Sequence, residues 1–106
     1  MGTRRPGPPV ILGHGGGGAS RPTARHLATI RQALDAGYAV MDAGGSSVDA
    51  VEHAVAVLET SGRFNAGKGA KRQMDGIARM DASLMDGRDL AAGAVAAIEG
   101  ILTPIR

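Results

Sequence analysis

The sequence predicts an α+β fold in which a helical hairpin packs on a sheet. Three observations carry this. Apolar residues recur three and four apart through residues 25–41 and again through 48–58, the period of one helix face. Gly44-Gly45 separates the two runs and makes them a hairpin with a glycine corner. Beyond Gly62 the helical period gives way to short runs punctuated by Asp-Gly pairs, the pattern of strands and tight turns.

The elements follow in order. Residues 1–8 read as a flexible Pro/Gly-rich tail, and 9–106 as one folded unit. Val10-Ile11-Leu12 is a short apolar run stopped by glycines, expected as a buried strand. Gly13 to Gly18, interrupted only by His14, forms a glycine loop. In the first helix Leu27, Ile30, Leu34, Tyr38 and Met41 make the expected buried stripe. Ser46 opens the second helix, with Asp49 three residues on in the first turn. Val48, Val51, Val55 and Leu58 form its stripe. Ala70–Gln73, the turn Met74-Asp75-Gly76 and Ile77–Leu84 read as a hairpin, since Asp-Gly supplies the positive φ such turns need. Met85-Asp86-Gly87 is a second turn. Leu90–Ile98 is small and apolar on both faces, as suits a central strand under another layer. Thr103-Pro104 marks the start of a further element.

Composition limits the function classes. The apolar residues are almost all aliphatic, with Tyr38 and Phe64 the two aromatics. Small side chains bury little area at roughly 25 cal/mol per Å², so a core of this composition is thin. Glycine, at 17 of 106 residues, stands well above the usual share of about 7%. The net charge of +2 is scattered. Lys68, Lys71 and Arg72 are the tight basic cluster, and no aromatic interleaves them to stack on bases, so no nucleic-acid partner is expected. The chain has no cysteine, which excludes disulfides and thiolate chemistry and fits a cytoplasmic protein. No apolar run approaches the ~18 residues a membrane span requires.

Single motifs leave several readings open. Gly13-x-Gly15-x-x-Gly18 matches a dinucleotide fingerprint, but a second helix follows where a second parallel strand should stand. His14-Gly15-Gly16-Gly17 matches the oxyanion loop of lipases, without the nucleophile elbow those enzymes need. A plain loop for close backbone packing is the third reading. Asn65 sits between Phe64 and two glycines. It is either a turn residue bonding its own backbone or an amide presented at fixed orientation. Asp81, Asp86 and Asp89 lack EF-hand spacing and read as turn chemistry. His26 and His53 lie on helices without a partner at metal spacing and read as solvated surface residues. Ser46, Ser47 and Ser83 have no local base.

Five segments in series decide among these. They are Ile11-Leu12-Gly13-His14-Gly15-Gly16, Gly45–Val51, Phe64-Asn65-Ala66-Gly67-Lys68-Gly69, Met80–Gly87 and Ala92–Ala96. Together they resemble the N-terminal part of the plant-type L-asparaginase/isoaspartyl peptidase (β-aspartyl peptidase) family of N-terminal-nucleophile (Ntn) hydrolases. The resemblance covers residues 10–106. It implies a partial αββα sandwich and an α-subunit portion released by autocatalytic self-cleavage. The new N-terminal Thr of the second subunit would attack a β-aspartyl peptide bond or the side-chain amide of asparagine, with its own amine as base.

Carried onto this sequence, the family pattern makes Asn65 the active-site residue close to the nucleophile. His14, Gly15, Gly16 and Gly17 match a mobile glycine loop tied to self-cleavage. The main-chain carbonyls of Leu58, Glu59, Ser61, Phe64, Ala66 and Lys68 match a structural sodium site, and no catalytic cofactor is implied. The four glycines after His14 depart from a usual Gly-Gly-Ala-Gly run, and Gly13 replaces a usually bulkier residue. Thr23, Thr29, Thr60 and Thr103 lie outside the nucleophile's context, so the attacking Thr is expected beyond Arg106. Implied partners are a small-molecule substrate, the nucleophile-bearing β-subunit portion and an oligomer of αβ units. The alternative is a non-catalytic fragment or interaction module keeping only the front half of the fold. Such a fragment would expose an apolar face and a strand edge at Leu90–Ile98.

Overall fold

The computed structural model describes residues 7–18 and 20–106. Helix α1 spans Ala24–Asp42 and α2 spans Ser47–Ser61. A 3-10 turn at Gly67–Gly69 precedes strands β1, Met80–Met85, and β2, Ala92–Ile98. The α+β class is as expected. Of the expected tail, residues 1–6 lie outside the described residues.

Local chemistry sets the helix ends. Thr23 caps α1: its Oγ1 accepts from His26 N at 3.3 Å, and His26 Nδ1 accepts from Thr23 N at 3.1 Å. Histidine thus fills the place that Glu or Gln holds in most capping boxes. At the other end Gly45 N donates to Val40 O at 2.8 Å and Gly44 N to Met41 O at 3.0 Å, the paired bonds of a Schellman ending. Ser46 Oγ then accepts from Asp49 N at 3.0 Å and starts α2.

The helices meet along their smallest residues. Thr29, Ala33 and Gly37 of α1 are buried, as are Ala50, Ala54, Ala56 and Glu59 of α2. This corrects the expected stripes: Leu27 is 58% exposed and Val51 40%. Backbone-to-backbone approach selects small side chains at i, i+4 spacing. The larger apolar residues are turned aside, where Ile30 and Leu34 instead flank the segment at Gly13 and Gly15. Gly37 is the tightest point. A Cβ there would lie 2.5 Å from Ile11 Cδ1 and 2.8 Å from the Ala50 carbonyl oxygen.

Val10–Leu12 forms no strand, a second correction. Extended backbone becomes a strand only beside a neighbour that takes its hydrogen bonds, and none pairs with it among the described residues. Ile11 is half-buried while Val10 and Leu12 stay exposed.

Strands β1 and β2 pair antiparallel, from Met80↔Ile98 to Met85↔Ala92, with an irregularity between Met80 and Ala82. Asp81 Oδ1 accepts from Ala97 N at 2.8 Å there, and Ala97 takes φ 53°. The expected first hairpin shrinks to one bridge, Arg72↔Ala78, around Gly76. Arg79 ties it to the sheet through Asp75 and Glu99, each at 2.8 Å. The second turn is a longer loop, closed by Asp86 N donating to Ala91 O at 2.9 Å. Leu90 belongs to this loop at φ 61°, so the strand begins at Ala92. The strand expected to be central is one of two among the described residues, exposed from Ala92 to Ala97. Thr103-Pro104 forms a turn rather than a helix start, closed by Arg106 N donating to Thr103 O at 3.1 Å.

Among the described residues, the buried apolar side chains are Ala33, Ala50, Ala54, Ala56, Met80 and Pro104. A two-stranded sheet needs more strands or a packed layer to be stable, and the radius of gyration of 15.6 Å exceeds the about 13 Å of a compact chain this long.

Two outcomes follow. Alanine is the better helix former by about 1 kcal/mol, yet Gly37→Ala is expected to lower the urea midpoint, because its Cβ drives against the Ala50 backbone. A raised midpoint would contradict the packing. The Arg88 side chain, with help from Arg88 N–H, holds the Asp86 carboxyl below its ordinary range. A depressed carboxyl stabilises above its unfolded pKa, and that stability is lost as pH falls through the folded value. The Arg88 amide, which donates to Asp86 Oδ1 at 3.0 Å, should therefore shift at a pH below the usual Asp range, and Asp86→Asn should abolish that acid transition.

Candidate active-site loop

The loop after α2 is built on Phe64. Its ring meets the His26 ring edge-on, centroids 5.4 Å apart. On another side a Cβ built on Gly15 would lie 2.7 Å from Phe64 Cε1. One aromatic anchor therefore joins the glycine loop, the start of α1 and the segment carrying Asn65. Aromatic rings favour such edge-on contact.

Asn65 is exposed, and its Oδ1 accepts from Lys71 N at 2.8 Å. This commits the carbonyl side of the amide to the loop and leaves the Nδ2 side as a donor for a ligand. Asn65 lines a cavity of about 230 Å³ together with Glu59, Gly67, Arg79 and Asp81. Glu59 is 2% exposed. Burial pushes its carboxyl up, while the Ile105 N–H bond and nearby Arg106 pull the other way. The Ile105 N donates to Glu59 Oε1 at 3.3 Å, and Arg106 Nε to Glu52 Oε1 at 2.8 Å. These bonds lay the chain's last residues along α2.

Gly67 is required where it stands. It has φ 54°, and a Cβ there would collide with the Glu59 carbonyl and lie 2.6 Å from Leu102 O. The six carbonyls singled out for a cation fall on this turn. Leu58, Glu59 and Ser61 are among the last four carbonyls of α2, which a helix leaves without intrahelical partners. The Leu58 oxygen accepts from Ser61 Oγ at 2.7 Å, Phe64 O from Ala66 N at 2.8 Å and Ala66 O from Gly69 N at 3.1 Å. An oxygen-only set suits a hard cation. No group of three or more His, Asp or Glu placed to hold a metal occurs among the described residues.

In the glycine loop Gly16 N donates to His14 Nδ1 at 2.9 Å, and Gly16 takes φ 97°. Asp86 and Asp89 accept from backbone two residues on, at Arg88 N and Ala91 N, as turn chemistry predicts. Thr29 and Thr60 donate into their own helices, to Arg25 O and Ala56 O. Thr23 is occupied as a cap. His53 bonds Asp49 O at 2.8 Å. His26 departs from the surface reading: its Nε2 lies 3.1 Å from Arg63 O. Its spacing from Thr23, the capping-box interval, was the available signal. A larger cavity of about 550 Å³ lies between Ser46 and the sheet at Leu84 and Val95, and none of the expected site residues line it.

Gly67→Ala should open the loop and speed hydrogen exchange of the Lys71 amide by about tenfold or more. An unchanged rate would mean the turn does not hold Asn65.

The family model described as asparaginase matches residues 7–106. The isoaspartyl peptidase/L-asparaginase of Mus musculus is 48% identical over 101 residues, covering 92% of this chain and 31% of its own. That of Homo sapiens is 45% identical over 102 residues, covering 92% and 33%. The plant-type L-asparaginase of Pyrococcus abyssi is 45% identical over 99 residues, covering 91% and 32%. The chain spans about a third of the length of these relatives. On the match along nearly its whole length, this chain belongs to the asparaginase family.

Proposed function

We propose that this chain is the Asn65-bearing α-subunit portion of a hydrolase acting on β-aspartyl peptide bonds or the side-chain amide of asparagine. The observation that carries the reading is the fixed Asn65 amide, held through Oδ1 to Lys71 N at 2.8 Å and lining a cavity. The helical hairpin and the two strands are then one side of a partial αββα sandwich.

The nucleophile comes from the β-subunit portion, whose N-terminal Thr arises by self-cleavage. Its Oγ attacks the substrate carbonyl carbon while its α-amine takes the hydroxyl proton and passes it to the departing ammonia or amine. Water then cleaves the resulting ester. Asn65 Nδ2 stands on this chain's side of that centre, where a donor steadies developing charge. The loop's hydroxyl-free, glycine-rich backbone at His14–Gly17 adjoins the site through Phe64, as a self-cleavage loop would. The carbonyls of Leu58, Glu59, Ser61, Phe64, Ala66 and Lys68 would hold a structural sodium ion and stiffen the turn. Assembly into oligomers of αβ units in the cytoplasm completes the reading. No helix among the described residues is long and apolar enough to cross a membrane. The exposed Ala92–Ala97 edge also fits the second reading, a non-catalytic module that pairs with another chain.

One assay separates the two. The chain alone should release no ammonia from L-asparagine and cleave no β-aspartyl dipeptide. With a Thr-initiated complementary chain it should turn over, and Asn65→Ala should then lower kcat/KM by about 10²-fold, the loss typical of one transition-state donor. Turnover by the chain alone would place the nucleophile within these 106 residues. Silence in the complex would favour the module.

A further inference from the structure

We propose that His26 is a positioning residue that holds the Asn65 loop against the start of α1, working through a locked ring tautomer. The inference rests on the reading of Asn65 above for its catalytic meaning, but its structural content stands apart.

The tautomer follows from the neighbours. Backbone Thr23 N can only donate, and it lies 3.1 Å from His26 Nδ1. Thr23 Oγ1 lies 2.8 Å from the same nitrogen. Nδ1 must therefore accept, and the ring proton belongs on Nε2. Nε2 faces Arg63 O at 3.1 Å, a carbonyl that can only accept. The capping box thus does two things. It satisfies the His26 N and Thr23 N donors at the start of α1, and it aims an N–H at a carbonyl two residues before Asn65. The ring edge packing on Phe64 fixes the same direction. A Glu or Gln at this helix position would serve the cap equally. Glutamate has no donor for Arg63.

That difference makes the test. The probe is amide hydrogen exchange on the whole chain, with ring ¹⁵N shifts of His26. The parent chain should show a proton on Nε2 and a bare Nδ1. His26→Glu should leave the first-turn amides of α1 as protected as before and speed exchange at Lys71 about tenfold, the loss of one ordinary hydrogen bond. His26→Gln, which can both accept and donate, should restore most of that protection. Any of four results overturns the proposal: a proton on Nδ1, no protection of Lys71 in the parent, unchanged Lys71 exchange in His26→Glu, or a Gln variant as loose as the Glu one. Equal loosening of α1 and the loop in His26→Glu also overturns it, since His26 would then act only as a cap. The exchange result does not depend on turnover. Failure of Asn65→Ala to impair the assembled enzyme would sink the functional reading and leave the link intact.

Discussion

The rest of the structure depends on how closely α1 and α2 approach at Gly37. With hydrogen in place of a side chain, the Ala50 carbonyl and Ala54 methyl come within reach of the α1 backbone. That contact sets the crossing of the two helices. It thereby sets where the start of α1 stands relative to the end of α2. His26 and Arg63 meet because of it, although 37 residues separate them in sequence. A bulkier interface would part them, and the Phe64 ring would lose one of its walls.

Small interface residues leave the large ones elsewhere. Leu12, Leu27 and Leu90 are all more than half exposed, while the buried apolar side chains among the described residues are four alanines, Met80 and Pro104. Alanine burial contributes little per residue. The fold is therefore held as much by directed bonds as by area: the Thr23 box, the Asp81 bond to Ala97 N and the Arg79 pairs. The same economy explains the loop. Asn65 is held by a single side-chain bond, and its neighbours by backbone crowding at Gly67.

Much of this was legible in the sequence. Both helices, their glycine corner, the Ser46 cap and the turn at Gly76 follow from periodicity and local chemistry. The Asn65 segment was legible through its resemblance to a family. The buried face was not, because the apolar period marks which residues are large, whereas close packing selects the small ones between them. Val10–Leu12 misled for another reason: composition shows that a segment can be a strand, and only a partner makes it one. His26 was missed because a capping histidine is written with the same letter as a solvated one. Its role lies in Arg63, which sequence proximity does not reveal.

The central claim is that the Asn65 loop is already built in this chain while the nucleophile is supplied from outside it. Residue-resolved hydrogen exchange before and after adding a Thr-initiated complementary chain tests that most directly. The account predicts new protection at Val10–Leu12, which has no strand partner among the described residues, and at those amides of Ala92–Ala97 that face away from β1, with little change from Asn65 to Lys71. Protection that first appears across Asn65–Lys71 on mixing would show a loop made by the partner, and would contradict it.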